Sequence, residues 1–147
     1  MPEEIGGPYL IMAVLCEKAL QERDGVLSVI RVVERITITP PPGAPEQMPP
    51  ANLNFAFVVS IRAGMVQGQM NLRMVLTTPT GTDNQMGSIP VLLEGQDRGV
   101  NLVTNLNLIV GEQGLYWISG YLEEQLLTKV PLRIMYQRIG IGPQQPT

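Results

Sequence analysis

The stretch Leu53, Asn54, Phe55, Ala56, Phe57, Val58, Val59, Ser60, Ile61, Arg62 decides the fold. Leu53, Phe55, Phe57, Val59 and Ile61 take every second position, with Asn54, Ala56, Ser60 and Arg62 between them. Side chains of an extended strand point alternately to its two faces. A period of two therefore sets one face on an apolar core and the other toward water.

The same period continues outward. Met70, Leu72, Met74 and Leu76 alternate with Gln69, Asn71, Arg73 and Thr77, and Leu102, Leu106 and Leu108 alternate with Asn101, Asn105 and Asn107. Residues 9–16, 26–39, 89–93, 115–122 and 126–136 are rich in branched or aromatic side chains and bounded by Gly, Pro, Asn or Asp, so each reads as a strand. About eight strands with no sustained helical period predict an all-β fold, a two-layer, mostly antiparallel β-sandwich, because a parallel α/β sheet needs a helix between strands. Sharp reversals are expected at Asp24-Gly25 and at Asn84 with Gly87, while Pro79 and Gly81 close a strand and Gly111 to Gly114 links two others. Residues 17–23 are polar apart from Ala19 and Leu20 and are expected to form one helical turn.

Residues 40–50 hold six prolines in eleven positions, which removes ladder donors and predicts an extended crossover loop between the sheets. Residues 1–139 are read as a single β-sandwich domain, and residues 140–147, rich in Gly, Pro and Gln, as a flexible C-terminal tail.

Ten Lys and Arg stand against thirteen Asp and Glu, and the basic residues are scattered singly. Nucleic acid is not an expected partner, since neutralising its backbone takes clustered positive charge. No run approaches the roughly 18 apolar residues of a membrane span. Cys16 is the only cysteine, which rules out an internal disulfide; it is read as a buried apolar residue, and a cytoplasmic location is expected.

The sequence contains no histidine, which excludes a Ser-His-Asp triad, a Cys-His dyad and any imidazole metal site. No phosphate-binding glycine motif or calcium-loop spacing occurs. Glu123 and Glu124 are adjacent and read as a turn before the last strand. No catalytic residue, cofactor or metal ligand is assigned.

Two features remain. Trp117 and Tyr121 are four apart on one strand face, as a sugar-stacking platform requires, although Trp117 is expected to pack between the sheets. Residues 9–16 have no polar side chain on either face, so the second face must be covered by the proline-rich loop, by the chain terminus or by another subunit.

The order of elements resembles a family of small uncharacterised bacterial proteins of unknown function. The residues that carry it are Leu15-Cys16-Glu17 ending an apolar first strand, Asp24-Gly25, then Val26-Leu27-Ser28-Val29-Ile30 and Arg35-Ile36, the proline-rich loop, and the strand through Leu53 and Ile61. The resemblance implies a β-sandwich and a bacterial source, and brings no catalytic residues.

Together these readings predict a noncatalytic protein-interaction or structural module with a protein partner, self or heterologous. Its contact residues are Leu10, Met12 and Val14 on the first strand and Pro41 and Pro42 in the loop. The alternative is a small-ligand or carbohydrate-binding module using Trp117 and Tyr121.

Overall fold

The stretch through Phe57 lies in the interior of the protein, in a strand with neighbours on both sides. The computed structural model describes residues 6–139. Nine strands run in chain order as β1 (Tyr9–Gln21), β2 (Leu27–Val32), β3 (Arg35–Ile38), β4 (Ala51–Arg62), β5 (Gln67–Thr77), β6 (Asp83–Glu94), β7 (Gly99–Val110), β8 (Gly114–Leu122) and β9 (Gln125–Tyr136). They form a four-stranded sheet in the order β2-β1-β4-β7 and a five-stranded sheet in the order β3-β9-β8-β5-β6. Every pairing is antiparallel except β3 with β9.

The inner faces meet in one core. Leu15, Phe57, Val59 and Ile61 come from the four-stranded sheet, and Leu72, Met74, Ile118, Leu132 and Ile134 from the five-stranded sheet. All are buried, and each such side chain contributes roughly 1.5–3 kcal/mol relative to exposure. The expected sandwich is therefore the fold, with β4 and β8 each lying inside its sheet.

Four details differ from the sequence reading. Residues 26–39 are two strands: the chain leaves β2 through Val33 and Glu34 and enters the other sheet as β3. Residues 17–23 form no helical turn. β1 continues to Gln21 and pairs with β2 as a hairpin, whose turn is closed by Glu22 N–H donating to Val26 O at 2.7 Å.

Asn84 and Gly87 do not reverse the chain; that turn lies at residues 78–82, where Thr78 N–H donates to Thr82 O. Gly87 instead sits at a bulge within β6, with Met74 opposite Gly87 and Val75 opposite Gln85, leaving Met86 as the extra residue. Trp117 is not between the sheets. Tyr116, Ile118 and Leu122 of β8 are buried, which turns Trp117, Ser119 and Tyr121 to the outer face.

The crossover loop at residues 40–50 joins β3 of one sheet to β4 of the other. It inserts Met48 into the core, and its Pro45 and Ala44 carbonyls accept bonds from Tyr136 Oη at 2.7 Å and Arg138 Nη1 at 3.1 Å. The tail expected at residues 140–147 lies outside the described residues.

Candidate functional site

Alternation along β1 and β4 buries a second, smaller cluster behind the sheet. Cys16, Ala56 and Val58 are buried there, and Met12, Val14, Ala19, Leu27 and Val29 pack against them. On this second apolar face Met12, Val14 and Cys16 lie beside Ala56 and Val58 of β4 and Leu27 and Val29 of β2, all neighbours within one sheet. Met12 and Val14 are half-buried in this cluster, whereas Leu10 is exposed. Pro41 and Pro42 are exposed on the crossover loop, whose Pro45 and Ala44 carbonyls accept from the side chains of Tyr136 and Arg138.

Trp117 and Tyr121 share the outer face of the five-stranded sheet. Lys129 Nζ lies 4.7 Å from the Trp117 ring centroid, and the Arg73 guanidinium 4.5 Å from that of Tyr121. Each ring therefore carries a cation on one face, an attractive arrangement that also occupies the surface a sugar would stack on. Across β9, Arg133 lies opposite Arg35 of β3, beside a depression lined also by Glu34, Leu115 and Pro131.

Glu123 and Lys129 are both committed to structure, Lys129 against Trp117 and Glu123 as an acceptor for Asn71 N–H. Among the described residues no group of three His, Cys, Asp or Glu side chains is placed to hold a metal ion.

The sheet edges differ sharply. A strand at an edge presents unpaired N–H and C=O groups, and proteins usually blunt such edges with short length, charge, proline or bulges. β3 is four residues long and is followed by Pro40. β6 carries Asp83 and Glu94, Pro90 within the strand, and the Met86 bulge. β2 is six residues long and bends at Arg31, which has φ 59° and an ion pair to Glu17 at 2.8 Å.

β7 has none of these devices. Its 12 residues include no charge and no proline. Its register with β4 runs unbroken from Gly99 opposite Arg62 to Val110 opposite Ala51. No backbone bond joins it to β6; instead a groove runs beside it, lined by residues 104–109 of β7 and by Asn84, Gln85 and Met86. The alternation of Leu102, Leu106 and Leu108 marks β7 as a strand, but nothing in that period marks it as an edge. The absence of charge from residues 99–110 was the available signal.

Among the described residues, fold and surface together define a two-layer β-sandwich with one long, uncharged edge that pairs with no further strand. Residues 11–135 match the family of unknown function DUF6941, and the chain belongs to that family. No curated protein matches it in sequence.

Among solved structures, the chain is similar to part of a β-glucosidase from Listeria innocua. The TM-score is 0.51 at 10% identity, over 73% of this chain and 15% of the enzyme. The same enzyme in complex with glucose gives 0.51 at 10% identity, over 86% and 16%. The chain thus spans about 15% of the enzyme's length, and likeness at this identity concerns the fold alone. No described helix is long and apolar enough to cross a membrane.

Proposed function

We propose that this is a noncatalytic protein-interaction domain that accepts a partner's extended strand along the free edge of β7. The observation that carries this reading is the contrast among the four edges: three are short, charged, bent or broken by proline, and β7 is long, neutral and regular. Strand addition to such an edge supplies main-chain hydrogen bonds, and the adjoining groove takes alternate side chains. The site acts by hydrogen bonding and shape, and it needs no proton transfer or nucleophile.

A fluorescent peptide copying residues 101–109 tests this directly. Its anisotropy rises on titration with the protein, while a peptide with proline at alternate positions, lacking those N–H donors, stays free. Failure of the unmodified peptide to bind, or equal binding by both, contradicts the reading.

A second reading, a small-ligand or carbohydrate-binding module, is supported by Trp117 and Tyr121 sharing one face. Lys129 and Arg73 beside the rings favour an anionic ligand over a neutral sugar. Trp117 is the only tryptophan, so its fluorescence reports occupancy, and no change with acidic sugars removes this alternative.

A further inference from the structure

We propose that the strand received by β7 is β7 of a second copy, the two running antiparallel across a two-fold axis at Thr104 or Asn105. This rests on β7 being the contact edge and goes on to name its occupant.

Charge favours a second copy as the occupant. In an antiparallel self-pairing each residue faces a residue of the same strand, so any charge risks meeting its like. Self-pairing of β2 brings in Arg31, of β3 Arg35, and of β6 Asp83 and Glu94. β7 contains no charged residue, so no register of β7 with itself sets like charges opposite each other. A charged foreign strand, conversely, finds no counter-charge on β7.

Register narrows the geometry. Val100, Leu102, Leu106, Leu108 and Val110 face the core, so Asn101, Val103, Asn105, Asn107 and Ile109 face outward. Paired residues must share a face, which requires the axis to pass through a residue rather than between two. With the axis at Asn105, Val103 faces Asn107 of the second copy; with the axis at Thr104, Val103 faces Asn105 of the second copy. Both registers keep the inner rows of the two copies on one face, with Thr104 as their one polar member.

Size is sufficient. Two 12-residue strands in register make about one backbone hydrogen bond per residue, matching the ten or so of a standard specific interface. The assembly also closes. The two-fold consumes both β7 edges, and the outermost strands of the joined eight-stranded sheet are then the two β2 strands, bent at Arg31.

Sedimentation velocity with charge-swap variants tests the proposal. The wild-type chain shows a concentration-dependent dimer. Asn105→Lys and Asn105→Glu each weaken it about tenfold, because the introduced charges meet near the axis, and mixing the two variants restores association. Val103→Lys serves the same purpose should the Asn105 variants melt early, and Ile30→Lys on β2 leaves the dimer intact.

A wild-type chain that stays monomeric throughout overturns the proposal, as does a dimer indifferent to charge at Asn105. A monomer that still binds the peptide of residues 101–109 rejects the second copy while leaving β7 as the interaction edge. A monomer that does not bind it rejects both.

Discussion

Asn71 and Glu123 hold each other twice: Asn71 N–H donates to the Glu123 carboxylate at 2.7 Å, and Glu123 N–H donates to Asn71 O at 2.9 Å. The pair fastens the β8–β9 turn to β5 and requires Glu123 to adopt φ 57°. Glu123 is thereby a structural clamp. Glu123→Ala loses the side-chain bond and retains the strained backbone, and is expected to cost ~1 kcal/mol in urea melts. Glu123→Gly relieves the strain and is expected to cost less.

Gly64 makes the closest backbone approach in the N-terminal region. It has φ 63°, and a Cβ there would lie 2.5 Å from Gly6 O. Met65 N–H donates to that same oxygen at 2.8 Å, so the N-terminal segment has little room to retreat. Gly64→Ala is expected to lower stability by about 1–3 kcal/mol in thermal melts, through both strain and displacement.

Phe57 is buried at the centre of the core. Phe57→Ala is expected to cost about 3–5 kcal/mol in denaturant unfolding. A loss under about 1 kcal/mol would show that the core around Phe57 collapses to fill the space.

Alkaline stability has a defined sign. Burial raises the Cys16 thiol above its ordinary 9.0, against the lowering effect of backbone bonds at Lys18 and Ile30. Burial likewise raises the Tyr116 phenol above 10.0, partly offset by its bond to Glu112 O. Both groups hold their protons more tightly when folded. Their contribution is therefore complete below the ordinary values and declines as pH rises through the raised ones. Stability is expected to fall from about pH 9 upward, and Tyr116→Phe to flatten the upper part of that fall. Cys16 is expected to resist a thiol reagent at pH 8 until the protein is unfolded.

The fold was legible in the sequence because packing against the opposite sheet imposes a period of two, which Leu53, Phe55, Phe57, Val59 and Ile61 display without interruption; the other face, expected to meet water, instead buries Ala56 and Val58 against β1. What escaped that signal has particular causes. The hairpin extension through Lys18 and Leu20 is exposed, so no buried face marks it as strand. Leu115 to Leu122 is apolar on both faces, and only packing of Tyr116 and Ile118 against the opposite sheet turns Trp117 outward.

The switch of sheets after Val32 and the bulge at Gly87 leave the local composition unchanged. The free edge of β7 depends on strand order, a long-range property. Once that order is known, the lack of charge in residues 99–110 becomes informative.

Amide hydrogen exchange at two protein concentrations about a hundredfold apart reads the pairing of the β7 edge residue by residue. Residues 99–110 are expected to gain protection at the higher concentration, while the edges of β2, β3 and β6 stay unchanged. Protection of β7 that does not vary with concentration, or a gain confined to the β1–β2 hairpin around Met12 and Val14, would contradict self-pairing along β7.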